Sequence, residues 1–241
     1  MFAPEKKTAL VTGASSGMGK AIARRLIQDG YQVYVAARSI DKMADLAELG
    51  AQPLRMDIAR DEEIVSCVNA ILSQTGGVDV LINNAGFGLY GPVEEIGIDE
   101  ARYQFEVNLF GAARLTQLLL PAMRARRSGH IVNISSMGGK MYSILGAWYH
   151  ATKHALEGWS DCLRLEVAGF GIKVTIVEPG VIETGFGDAA SESIVKRSHS
   201  GPYGQLVKMV AASIKKTYGH GTGSDPKVIA DVVSSAINSK N

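Results

Sequence analysis

An excess of charge of either sign is missing from this chain: 25 Lys and Arg against 24 Asp and Glu leave a formal net charge of +1 over 241 residues. A protein so balanced presents no broad field to nucleic acid or to an anionic membrane surface, and neither is expected as a partner. The one basic cluster, Arg124, Arg126 and Arg127, reads as the solvated end of a helix, where cations suit the negative pole of the dipole. Cysteine is scarce. Cys67 and Cys162 are too far apart for metal-ligand spacing, which argues against a disulfide framework and for a reducing compartment. No apolar run approaches the roughly 18 residues of a spanning helix. The opening MFAPEKK runs into a strand without the apolar core and cleavage site of a signal peptide, so a cytoplasmic protein is expected. Repeats, low-complexity tracts and linker-like shifts are also lacking, and a single domain over 1–241 follows.

What is present is alternation. With 46% hydrophobic and 20% charged residues, the chain has the material for a substantial core. The runs TALVTGA (8–14), YQVYVAA (31–37), AQPLRMD (51–57), VDVLINN (78–84), HIVNISS (130–136) and IKVTIVEPG (172–180) read as strands. Their near-continuous apolar character suits parallel strands covered on both faces. Between them, 17–29, 41–49, 61–74, 99–127 and 147–168 carry apolar residues at helical spacing. The expected fold class is therefore α/β, a doubly wound parallel sheet of Rossmann type. After Pro179 the period weakens. The stretch 181–204 is expected to be irregular, and 181–219 to cover a substrate, because compact domains rarely keep long structureless connections without a use for them. Helices at 205–218 and 226–238 should follow.

The first strand runs into TGASSGMG, where Gly13, Gly17 and Gly19 open a helix. Glycines at such a turn let the backbone approach a pyrophosphate, whose charge the helix N-terminus favours. Further on, YHATK sets Tyr149 and Lys153 one helical turn apart on one face. A free phenol, with a pKa near ~10, is a poor base at neutral pH. A neighbouring ammonium on the same face would favour the phenolate, so Tyr149 reads as a general acid/base and Lys153 as its electrostatic partner. His150 and His154 are also one turn apart but lack a third ligand, and read as packing or surface residues facing away from that edge. No metal is expected.

Taken in order, TGASSGMG at 12–19, NNAG at 83–86, Asn108 in VNLFG, Ser136 in NISS, YHATK and PG at 179–180 resemble the short-chain dehydrogenase/reductase family. The segments GPVEEI, KHALEG and EPGVIETGF are similar to its branch of hydroxysteroid, retinol and acyl-lipid reductases. The resemblance implies a nicotinamide dinucleotide held by Gly13, Ser15, Ser16, Gly17, Met18 and Gly19. It places Asp57 and Ile58 at the adenine, and Asn84, Ala85 and Gly86 at the adenosine ribose. Pro179, Gly180, Val181 and Thr184 would meet the nicotinamide, and Lys153 its ribose. Ser136 would hydrogen-bond the substrate carbonyl, and Asn108 would hold a water behind Lys153. Family members usually add a strand after the last helix; none is visible here, so either six strands or a shortened form is expected.

Cofactor choice follows from chemistry. Strand two ends in VYVAAR, with Ala36 and Ala37 where a carboxylate for the ribose 2′-hydroxyl would stand. Arg38 suits a 2′-phosphate instead, so NADP(H) is expected. The loops that would frame the carbonyl offer Phe87, Leu89, Tyr90, Met141, Tyr142, Leu145 and Phe186 without clustered charge, which favours a lipophilic carbonyl or alcohol. Pairing through 99–127 and 147–168 would give a homodimer or tetramer. The alternatives are an NADP-sensing regulator without turnover, and a sugar-nucleotide epimerase or dehydratase.

Overall fold

A computed structural model describes residues 6–198, 201–218 and 221–239. Six strands form one parallel sheet: β1 (Thr8–Thr12), β2 (Gln32–Ala37), β3 (Gln52–Arg55), β4 (Val80–Asn83), β5 (Gly129–Ile134) and β6 (Ile172–Val177), in the spatial order β3-β2-β1-β4-β5-β6. Val11 pairs with Val35 on one side and Ile82 on the other. Successive residues serve opposite faces: Ala9 and Val11 enter one buried cluster, Leu10 the other. Both faces are covered, which is why the strands read as continuous apolar runs. The order reverses between β1 and β4, and the crevice beyond their carboxyl ends is where doubly wound sheets bind ligands.

Helices α1 (Gly17–Gln28) and α9 (Pro226–Asn238) pack together on one face. Ser234 Oγ donates to Asp29 Oδ2 at 2.6 Å, and Arg25 pairs with Asp231. The short α2 (Ala44–Glu48) follows a 3-10 turn over Asp41–Met43, and α3 (Asp61–Thr75) lies on the opposite face. The segment expected as one helix over 99–127 is divided into α4 (Ile98–Phe105), a π turn (Glu106–Phe110) and α5 (Gly111–Arg126). A Cβ on Gly111 would lie 2.4 Å from the Ile58 carbonyl oxygen. The helix is thus re-wound where it presses against the β3–α3 connection, a tertiary constraint that periodicity does not carry. At its end the arginines are engaged. Arg126 donates to Val78 O at 3.0 Å, Arg127 to Gly169 O at 2.9 Å, and Arg124 lies over the Phe170 ring. The cluster does close a helix and all three arginines are exposed, as expected, with these contacts in addition.

Helix α6 spans Ala147–Val167. Beyond β6 the expectation of an irregular stretch is also corrected, for α7 (Phe186–Ser198) is helical and packs on α8 (Gly204–Thr217). Phe186, Ala190 and Ile194 stand at four-residue intervals and form one ridge against Tyr90, Leu145, Tyr149 and Val207. Glycine, serine and alanine between them hid the period. His199 and Ser200, Met1–Glu5, and Lys240 and Asn241 lie outside the described residues.

Candidate active site

Two contiguous cavities, of about 590 and 500 Å³, open at the carboxyl end of the sheet and share Gly13, Ser16, Arg38, Ala85, Gly86 and Phe87. The turn after β1 forms their floor. Gly13 and Gly17 have φ of +66° and +51°, a region that L side chains avoid. A Cβ on Gly17 would come within 3.1 Å of Thr184 Cγ2, narrowing the cleft from across its width. Ser16 at the N-cap of α1 makes no side-chain cap bond, and the first turn holds no acidic residue. The leading N–H groups of α1 therefore lack a side-chain partner at the cleft, an arrangement that fits a pyrophosphate.

At the far end of the second cavity lie Ser15, Arg38, Lys42, Asp57 and Ile58. Asp57 is fixed by its own loop, Oδ1 accepting from Ala59 N at 3.0 Å. Arg38 is exposed and reaches Tyr103 Oη at 3.5 Å, with Lys42 lining the same space. The larger cavity is lined by Met18, Gly19, Asn84, Ser136, Tyr149, Lys153, Pro179, Gly180 and Thr184. Asn84 Nδ2 donates to Thr12 O at 2.9 Å and so holds the β4 end against the glycine turn. Val181 departs from the expectation. It lines neither cavity, its carbonyl accepting from Ser224 N at 3.0 Å, and Ile182 lines the cleft instead.

Tyr149 and Lys153 are both buried, 7% and 6% exposed. Burial pushes the Tyr149 phenol up to about 12, with a hydrogen bond from Ser136 pulling the other way. Burial also draws the Lys153 ammonium down to about 8, opposed by Glu157. Lys153 Nζ donates to Ile134 O at 2.8 Å, so the ammonium is held against the end of β5, one helical turn from the phenol. In the protein alone the phenol thus keeps its proton, and the lowered pKa expected from the lysine together with a positive nicotinamide is not reached, because desolvation dominates.

Asn108 sits in the π turn and lines neither cavity. Its Nδ2 donates to Phe87 O at 2.9 Å and Thr152 Oγ1 at 3.1 Å, while Oδ1 accepts from Phe87 N at 3.0 Å. The amide is thus spent on bracing the loop after β4. Its Oδ1 and Lys153 Nζ nevertheless face the same space beside Gly86, at 3.2 and 3.8 Å from a Cβ built there.

His150 does not face away, as expected, but is buried behind the loop 137–146. Its Nδ1 lies 2.9 Å from Gly138 O, and its Nε2 lies 3.0 Å from Ser143 N and 2.8 Å from Ser143 Oγ. A backbone N–H only donates, so Nε2 accepts and the proton sits on Nδ1, donated to Gly138 O. His154 is exposed. Among the described residues no three His, Cys, Asp or Glu side chains converge on a metal-sized space.

The apolar wall is made by Phe87, Leu89, Phe186, Ala190 and Tyr218. Tyr90 and Phe186 each stand 5.5 Å from the Tyr149 ring. Leu145 packs in the same cluster. Met141 and Tyr142, expected at the carbonyl, are instead 45% and 86% exposed and line neither cavity. Tyr218 escaped the sequence reading because it enters from the end of α8, distant in the chain, and reaches the wall by packing on Gly187. Among the described residues, Arg38 and Lys153 are the only charged side chains lining the larger cavity. Outside both cavities, Arg197 of α7 grips Glu100 of α4 through two hydrogen bonds, each 2.7 Å.

The family model described as short chain dehydrogenase matches residues 7–194. Retinol dehydrogenase 8 of Bos taurus is 33% identical over 251 residues, an alignment covering 99% of this chain and 80% of that protein. An actinorhodin polyketide ketoreductase solved with NADPH superposes with a TM-score of 0.83 at 35% identity, covering 99% of this chain and 92% of that one. A short-chain dehydrogenase/reductase from Burkholderia phymatum, solved with NAD, gives a TM-score of 0.84 at 25% identity and covers 98% and 87%. Both forms of the dinucleotide thus occur among the neighbours.

Proposed function

Since this chain belongs to the short-chain dehydrogenase family, we propose that it is an NADP(H)-dependent oxidoreductase interconverting a carbonyl and an alcohol on a lipophilic small molecule. The observation that carries this reading is the convergence of Ser136, Tyr149 and Lys153 on one cleft beside an uncapped helix N-terminus. The nicotinamide, when bound, exchanges the hydride. The chain's own part is to hold the oxygen and move a proton. In reduction, the Ser136 hydroxyl donates to the carbonyl oxygen, and the Tyr149 phenol gives its proton to the oxygen as negative charge develops there. Lys153 stabilises the phenolate left behind. At neutral pH the phenol is protonated and the ammonium charged, since their values lie at about 12 and about 8, and this is the state that reduction requires. Asn108 fixes the loop after β4 and borders the space beside Lys153 where a relay water would sit. Following absorbance at the nicotinamide band over a panel of apolar ketones tests the reading. Dinucleotide binding without turnover on any of them would leave the sensor alternative.

Arg38 supports the cofactor form. It lies at the β2 end beside Lys42, and Asp57 is the only carboxylate lining that cavity. A guanidinium binds a 2′-phosphate through charge-assisted hydrogen bonds. NADPH should bind at least tenfold more tightly than NADH, about 1.4 kcal/mol, and Arg38→Ala should erase most of the difference. Equal affinities in the parent protein would end the idea.

The wall of Phe87, Leu89, Phe186 and Tyr218 supports a lipophilic substrate. We place the cover in α7 and α8. Apart from Phe186, Ala190 and Ile194 on the ridge, α7 is largely polar, so its local stability should be low without ligand. In amide hydrogen exchange, 186–198 should open as one unit in the free protein and slow when NADPH and a ketone are bound. Protection equal to that of β6 in the free protein would make it a fixed wall. Exposed Phe110 and Leu165 support self-association through the π turn and α6.

A further inference from the structure

Glu157 is a buried carboxylate that the proposed chemistry leaves unused. It is 5% exposed; among the described residues its Oε1 has no hydrogen-bond partner, and its Oε2 has only the Lys140 ammonium. Ionised carboxylates are costly to bury without such partners, and apolar replacements are often no worse for stability. Its place in the fold is specific. Tyr149, Lys153 and Glu157 stand at four-residue intervals on α6, so one face of the helix carries the phenol, the ammonium and an anion in that order. All three are buried.

The anion is anchored from outside the helix. Lys140 Nζ lies 2.9 Å from Glu157 Oε2 and 3.5 Å from Glu178 Oε1, as ion pairs. Lys140 belongs to the loop that follows Ser136, and Glu178 immediately precedes Pro179 and Gly180. One ammonium thus ties together the three segments that bring Ser136, the Tyr149–Lys153 pair and the 179–180 turn to the cleft. The loop passes directly over the carboxylate: a Cβ on Gly139 would meet Glu157 Oε1 at 2.9 Å and Ser135 Oγ at 2.8 Å. The other charged neighbours on α6 are Asp161 and Arg164, which pair with each other at 2.5 Å.

We infer that Glu157 is a positioning residue for the Tyr149–Lys153 pair: anchored by Lys140, its anion one turn beyond Lys153 keeps that buried lysine charged. The inference rests on the roles proposed for Tyr149 and Lys153. Burial alone drives Lys153 toward its neutral form, and Glu157 opposes it. A neutral lysine would neither stabilise the phenolate nor donate to a ribose hydroxyl. The sign of the effect is fixed: removing the anion makes Lys153 lose its proton at lower pH. Removing Lys140 takes away a cation but also leaves the buried carboxylate without its counter-ion, and these two changes act on Lys153 in opposite directions.

The test is a pH titration of the Lys153 side chain by carbon and nitrogen NMR in the ligand-free protein, the signal being assigned by its loss in Lys153→Met. The midpoint, near about 8 in the parent, should fall by about one unit in Glu157→Gln, tenfold in the ionisation constant. It should recover in part in Glu157→Asp. The alkaline limb of kcat/KM for ketone reduction should move to lower pH with it. An unmoved midpoint in Glu157→Gln would overturn the inference. So would an equal fall in Glu157→Asp, which keeps the anion and would mark a loosening of the packing instead. Should Glu157→Gln fail to fold, the same titration is read in Glu157→Met, whose apolar side chain fills the space without the charge, and an unmoved midpoint there overturns the inference. Because the titration uses neither substrate nor cofactor, a parent protein that reduces no ketone would sink the proposed function while leaving this result readable.

Discussion

Replacing Tyr149 with phenylalanine should lower turnover by about 10²–10⁴-fold, the usual share of a positioned acid or base, with fold and NADPH affinity preserved. The ring is a packing element in its own right, 5.5 Å from both Tyr90 and Phe186, and phenylalanine keeps those contacts. What disappears is the phenol hydroxyl beside Ser136 in the cleft, the proton donor of the proposed reaction. Ser136 remains to hold the carbonyl, since its own Oγ also accepts from Gly138 N at 3.0 Å and is fixed by that bond. Binding and reaction should therefore separate, with KM changed little and kcat much. Steady-state rates, a melting curve and a cofactor titration on the same preparation decide it. A variant within a few-fold of the parent would remove Tyr149 from the reaction.

The second large effect is expected from a single methyl group in the glycine turn. A Cβ on Gly19 would lie 2.4 Å from Asn84 Nδ2 and 2.5 Å from the Gly13 carbonyl oxygen. One obstacle is backbone, and the other is an amide already holding Thr12 O at 2.9 Å, so neither yields cheaply. Overpacking of this kind costs about 1–3 kcal/mol, and the strain falls on the turn that would receive the pyrophosphate. Gly19→Ala should lower the melting temperature and weaken NADPH about a hundredfold, or 2.7 kcal/mol. Gly158→Ala is the matched control. Gly158 lies on an exposed part of α6 with nothing within 4 Å of an added Cβ, and alanine there should be neutral or stabilising, as in helix interiors generally. Unchanged NADPH affinity in Gly19→Ala would show that the turn has slack that its geometry denies.

The sheet was legible because each strand is buried on both faces and so spelled as an apolar run: VYVAA and IVNI need no context to be read. The glycine turn and the Tyr149–Lys153 spacing were legible for a similar reason, since a local requirement leaves a local trace. What escaped depends on contacts remote in sequence. The π turn answers to Ile58 across the β3–α3 connection, and α7 is helical on a ridge that meets Tyr90 and Val207. The loop 137–146 turns Met141 and Tyr142 outward because His150 binds it at both Gly138 and Ser143. Nothing in the order of those residues marks which of them the histidine will draw in.

The Arg197–Glu100 grip would give the cover proposed in α7 and α8 a dependence that neither shape nor hydrophobicity would. It joins residues 97 apart in the chain and draws the Glu100 carboxyl below its usual range through those hydrogen bonds. The side chains are 20% and 48% exposed, so mobile ions reach the pair and screen it within roughly 8–10 Å at moderate ionic strength. If product leaves only when α7 lifts, its residence time becomes an electrolyte-sensitive quantity, distinct from the proton transfer beneath. Stopped-flow release should quicken with added salt in the parent. Arg197→Lys, which keeps the charge but loses the two-pronged geometry, should start fast and respond less, and the single-turnover chemical step should be indifferent to both.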